Sequence, residues 1–133
     1  MSSRSTAHWL SCIVVIAVAV EAGAAEFHVS PTGSPKGNGS AREPWDLPTA
    51  LVATDIVRPG DTVWIHSGMY RGGFVSRLSG RPGTPVVVRG ERGGRVTIDT
   101  QPRDGDERDN GLFLMLGADA VYRDFEVTCS HPL

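Results

Sequence analysis

Four acids crowd one short stretch of this 133-residue chain: Asp104, Asp106, Glu107 and Asp109 fall within six residues. Hard carboxylate oxygens at that density could hold Ca2+. The spacing is not that of an EF-hand loop. Counted from Asp106, Gly111 takes the sixth position, but Arg108 stands at the third and Gly117 at the twelfth. Arg103 and Arg108 lie among the acids, so a solvated turn with local ion pairs is the simpler expectation.

A second stretch has the opposite sign. Arg71, Arg77, Arg81, Arg89, Arg92 and Arg95 face only one acid, Glu91, in a chain whose formal net charge is -2. A surface of this sign attracts an anionic polymer such as an acidic glycan, and the guanidinium fork matches carboxylate or sulfate geometry. The bland alternative is turn solvation in an arginine-biased chain, where Lys36 is the sole lysine. The remaining reactive side chains give weaker signals. His28, His66 and His131 are far apart in sequence and make no metal-ligand spacing. Trp45 and Trp64 could stack on sugar rings, although core packing is the commoner use of such residues. Asp99, Asp119 and Asp124 sit at strand edges, where two facing carboxylates would serve glycosidic chemistry. No Gly-x-Ser-x-Gly or Walker loop occurs.

The elements that carry these residues follow from composition and periodicity. Hydrophobic residues make up 40% and charged residues 21%, which fits one folded domain and excludes a disordered acidic tail. The net charge of -2 argues against nucleic acid as a partner. Arg4, the apolar run Trp9 to Val20 and the small residues Ala22 to Ala25 form a signal-peptide pattern over residues 1–25. That run is too short to span a bilayer, so the expected location is secreted or periplasmic, with no membrane span after cleavage. Cys129 would then be the lone thiol, expected as a small buried apolar side chain in a strand.

Residues 26–60 read as a strand from Glu26 to Ser30, a Gly/Pro/Ser loop and a helix from Leu47 to Val57. Asp46 is the expected N-cap, and Leu47, Ala50, Leu51, Thr54 and Val57 share one face. Residues 61–133 read as strands separated by glycine-rich turns: Asp61–His66, Gly73–Val75, Val86–Arg89, Val96–Asp99, Leu112–Met115 and Val121–Val127. Gly 16 and Pro 9 supply those turns. Arg58-Pro59-Gly60 recurs as Arg81-Pro82-Gly83, an offset of 23, and each copy predicts a type II turn that launches a Val-rich strand. A period in the low twenties made of strands predicts an all-β solenoid. Val63, Val86 and Phe113 should then stack in one column and Phe74, Val96 and Val121 in another, with the helix covering the open end. A β-sandwich also has many short strands but gives no reason for the repeat.

Taken in order, Phe27-His28-Val29-Ser30-Pro31-Thr32-Gly33-Ser34, Pro44-Trp45, Arg58-Pro59-Gly60-Asp61-Thr62-Val63 and Gly68-Met69-Tyr70 resemble the start of secreted bacterial right-handed parallel β-helix proteins of the pectin-lyase-like superfamily. The resemblance runs from Phe27 to Val127 and is closest to the N-terminal cap and first coils of such proteins. It implies a longer, monomeric parent, with this chain as a fragment. It also implies polysaccharide binding or degradation, lyase-like on acidic glycans, with Ca2+ as a plausible neutraliser of uronate charge. The family's catalytic lysine, arginine and acidic residues find no matching motif here, so the resemblance carries over no catalytic residue. A non-enzymatic surface β-helix that binds glycan or protein is the alternative, and a truncated product without activity is a third.

Overall fold

A computed structural model of the chain describes residues 23–100 and 111–130. Most of the expected leader, the acidic cluster Asp104, Asp106, Glu107 and Asp109, and His131 lie outside the described residues. The described part is mostly strand: β1 (Glu26–Val29), α1 (Leu47–Leu51), β2 (Thr62–Ile65), β3 (Gly68–Arg71), β4 (Phe74–Ser76), β5 (Val86–Gly90), β6 (Val96–Asp99), β7 (Phe113–Met115), β8 (Ala120–Arg123) and β9 (Glu126–Thr128). These strands form three parallel sheets, ordered β1-β2-β5-β8, β3-β6-β9 and β4-β7. From β2 onward, successive strands in the chain belong to different sheets, and the chain returns to each sheet one strand further on. Among the described residues no helix is long and apolar enough to cross a membrane.

Side-chain alternation assigns the two faces of each strand. In the first sheet Phe27, Val63, Val88 and Tyr122 lie opposite one another on the inner face. In the second, Tyr70, Ile98 and Val127 align, and in the third Phe74 meets Phe113. Val63, Ile65, Val86, Val88 and Ile98 are fully buried. Each such side chain contributes about 2 kcal/mol relative to an exposed one.

The columns differ from those expected. Val63 lies opposite Val88, not Val86, and Phe113 sits on Phe74 in another sheet. Val96 and Val121 likewise belong to separate sheets. In the first sheet the register offset is 25 (Thr62 to Val87) and then 34 (Val87 to Val121), and in the third it is 39 (Phe74 to Phe113). In the second sheet it is 28 (Gly68 to Val96) and then 29 (Thr97 to Glu126), so the steps are unequal and longer than the expected low twenties. The Pro-Gly turns themselves are present, with Gly60 and Gly83 at φ 93 and 82. Each turn closes on itself, Asp61 N bonding to Arg58 O and Thr84 N to Arg81 O, but in register the second sits two residues further from its strand, since Thr62 pairs with Val87. A slip of two preserves side-chain parity, so inward residues stay inward while every partner changes.

Asp46 caps α1 as expected, its carboxylate accepting from Thr49 N at 3.0 Å, with Pro48 in the first turn. The helix ends at Leu51, short of Val57, and the chain continues in turns joined by bonds from Ile56 N and Val57 N to Ala53 O. Leu47, Ala50, Leu51 and Val57 are buried, whereas Thr54 is exposed. The helix packs on β4, where Arg77 N donates to Leu51 O at 2.9 Å. Gly68–Arg71 was expected only as a motif and is a strand, and the expected strand Val121–Val127 is two strands broken at Asp124, φ 62. Cys129 is exposed just past β9 rather than buried in a strand, where β9 has, among the described residues, a strand neighbour on one side.

Candidate functional site

The outer face of the four-stranded sheet gathers side chains that no sequence motif links. His28, Trp64, Arg89 and Arg123 occupy one column across β1, β2, β5 and β8. Adjacent strands lie about 4.8 Å apart, so this column is a row of rings and guanidinium groups at that spacing. The Arg89 guanidinium carbon lies 4.7 Å from the Trp64 ring centroid, a cation–π contact. Arg89 Nη2 pairs with Asp124 at 2.7 Å, and Arg123 Nε reaches the same carboxylate oxygen at 2.9 Å. Gly90 lets that corner close: a Cβ there would stand 2.0 Å from Asp124 O.

Beside this column runs a hydrogen-bonded chain. Glu91 Oε1 accepts from both Ser67 N, at 2.7 Å, and Ser67 Oγ, and Oε2 meets His66 Nδ1 at 2.8 Å. His66 Nε2 meets His28 Nδ1 at 3.0 Å, and the two imidazoles stack with centroids 5.2 Å apart. The hydrogen bonds from Ser67, followed by that from His66, lower the Glu91 carboxyl to about 2. An ionised carboxylate can only accept, so His66 carries its proton on Nδ1. With Nδ1 as the donor, the other ring nitrogen of His66, Nε2, serves as the acceptor, which assigns the bridging proton to His28 Nδ1. His28 Nε2 is left as a lone pair, and among the described residues no hydrogen-bond partner meets it. Partial burial, and then the nearby His66, hold His28 below the usual histidine range, against a smaller opposing pull from Glu26.

The six arginines of the basic stretch do not form one patch. Arg89 is on the column just described, with its side chain 15% exposed. Arg71 and Arg95 flank the outer face of β3-β6-β9, where Arg95, 82% exposed, pairs with Glu126 at 2.8 Å. Thr97 first, and then Arg95, hold the Glu126 carboxyl below its usual range. Arg71 also borders a hollow of about 180 Å³ lined by Pro31, Asp46, Pro48, Met69 and Tyr70. Arg77 is exposed just past β4, and Arg81 and Arg92 are exposed at turns. Among the described residues no carboxylate pairs with Arg71, Arg77, Arg81 or Arg92. Among the described residues no group of three His, Cys, Asp or Glu side chains is arranged to hold a metal.

The two tryptophans part ways. Trp45 is buried, stacked on Phe27 with centroids 5.2 Å apart and donating from Nε1 to Gly37 O at 2.7 Å, as core packing requires. Trp64 stands on the outer face instead of in the core. Asp99, buried in β6, accepts from Ser130, while Asp119 and Asp124 sit at positive-φ corners.

Comparison with solved structures fits the stacked parallel sheets. The chain shares its fold with a rhamnogalacturonan lyase. The match has a TM-score of 0.59 at 20% identity and covers 77% of this chain and 28% of that one. A structure described as XylC complexed with xylose matches at TM-score 0.49 and 27% identity, over 56% of this chain and 12% of that one. The chain therefore spans well under a third of either solved protein. No protein-family model and no curated protein matches the chain.

Sequence reasoning offered Trp64 as a sugar-stacking ring and Asp124 as a strand-edge acid, but missed His28, His66, Glu91 and Arg123 as site residues. The signal was the offset. The 25-residue step that pairs Val63 with Val88 also brings His66 to Glu91.

Proposed function

We propose that this chain is part of an exported right-handed parallel β-helix that binds acidic polysaccharide, with α1 capping the first rung. The observation that carries this reading is the column His28, Trp64, Arg89 and Arg123 on in-register strands. An indole beside guanidinium groups offers a sugar ring an apolar platform and a carboxylate or sulfate a charged fork. Asp124 holds the two arginines in place and leaves the corner with one net positive charge. The fold likeness to a rhamnogalacturonan lyase supports a polysaccharide role in general and does not choose the sugar. The lyase-like expectation for the parent protein rests on residues other than these. Within the site Ser67 Oγ donates to Glu91 and not to an imidazole, so it is not set up as a nucleophile.

Affinity electrophoresis in gels containing polygalacturonate, alginate or neutral dextran tests the reading. The full chain should be retarded by the acidic polymers and pass freely through dextran. Trp64→Ala and Arg123→Ala should each weaken the retardation severalfold. Equal mobility in all gels would overturn the proposal. Mixing with alginate or chondroitin should give no rise in absorbance from unsaturated products, and such a rise would add lyase chemistry to the binding.

A further inference from the structure

We propose that the His28–His66 pair is a proton-linked subsite that reads a carboxylate: an acidic sugar docks at His28 Nε2, and the pair takes up one proton from solvent as it binds. This rests on the acidic-polysaccharide reading and deepens it.

The argument begins with what the hydrogen bonds allow. Glu91, held by Ser67, fixes the proton on His66 Nδ1, and His66 Nε2 accepts from His28 Nδ1. A proton added at His28 Nε2 breaks none of these bonds, because His28 Nδ1 keeps donating. The pair can therefore gain one positive charge without rearrangement. A second proton would need His66 Nε2, which is already the acceptor of the bridge, and would set two cations 3.0 Å apart. The uptake thus stops at one.

The surroundings decide what that charge meets. Partial burial opposes the cation, Glu26 on the same strand favours it, and Glu91 faces the far side of His66. Across Trp64, Arg89 is bonded to Asp124. No carboxylate of the described residues reaches His28 Nε2. An incoming carboxylate would be its first anionic partner. Bare, this nitrogen accepts a hydrogen bond and has nothing to offer a carboxylate; protonated, it donates with charge assistance. The bound carboxylate therefore pulls the proton on.

Calorimetry of the full chain with polygalacturonate at pH 7.5, in phosphate and in Tris, counts protons through the different ionisation heats of the buffers. The expected uptake approaches one, and affinity should fall by up to tenfold per unit from pH 7 to 8, where the polymer stays ionised. His28→Gln should fold, as seen by far-UV circular dichroism, yet bind more weakly, with a flat pH profile and no proton uptake. Binding by the natural chain with no proton uptake would overturn this inference and leave the polysaccharide reading standing. No binding at any pH would overturn both. Nitrogen-15 shifts of the free chain give a check that needs no glycan: His28 should carry its proton on Nδ1. A proton on Nε2 at neutral pH would overturn the inference alone.

Discussion

Glu91 joins two strands through groups that titrate, so its effect on stability has a definite sign. Its carboxyl is lowered from 4.5 to about 2, first by Ser67 and then by His66. The folded chain therefore binds fewer protons than the unfolded one between those values. The stabilisation is fully present above pH 4.5 and is lost as pH falls toward 2. His28 is lowered as well, so the unfolded chain takes a proton first as pH drops below 6.5, and stability falls there too. Urea titrations at pH 7, 4 and 3 should show Glu91→Gln less stable than the natural chain at pH 7, with the gap narrowing at pH 4 and further at pH 3. A constant gap would mean that the carboxylate charge contributes nothing. Little of this site was legible beforehand. Asp46 and the two Pro-Gly turns announce themselves within a few residues, because a cap or a turn is a local bargain between neighbours. His28 and His66 are 38 residues apart and meet only because β1 and β2 pair in one register.

Among the elements, the turn before β2 does the most joining. Asp61 is 6% exposed, and its two oxygens accept from Ala25 N at 2.8 Å and Arg58 N at 2.7 Å. The turn is thereby closed and the start of β1 tied to the start of β2. Replacing Asp61 with Ala leaves both donors without that acceptor and should cost about 1–3 kcal/mol in urea unfolding. Asn, which keeps one oxygen, should fall between; a Asp61→Ala chain as stable as the natural one would refute the role. The strand positions were mostly legible, since β-branched runs bounded by glycine mark them locally. The partners were not. Arg58-Pro59-Gly60 and Arg81-Pro82-Gly83 look like equivalent points of a repeat, yet the strands they launch pair two residues out of that alignment. Similar turns specify a corner, while the packing of the valines specifies the register, and parity hides the difference.

For the whole molecule, the stack has two unlike ends. At one, β1 pairs with β2, Trp45 bridges to Val29, and α1 packs on β4. At the other, β7, β8 and β9 each have a strand neighbour on one side. Leu114, Met115, Val121 and Val127 are 40–51% exposed there, while Phe113, Tyr122 and Phe125 pack edge to face beneath. Open strand edges beside apolar side chains recruit further strands. Sedimentation velocity of the 133-residue chain should show association that grows with concentration, and Val127→Lys should shift it toward monomer. A single monomeric species at high concentration would count against this. The all-β class was the most legible feature of all, and the unequal offsets the least, since loops between strands have no period to read. Those offsets carry a mechanical meaning. Every rung raises the stack by the same strand spacing, yet one consumes 25 residues in the first sheet and the next 34. Drawn out at about 3.4 Å per residue, those rungs store roughly 85 and 115 Å of chain. Under tension the first sheet would give up chain in unequal steps, its strands evenly spaced but unevenly supplied.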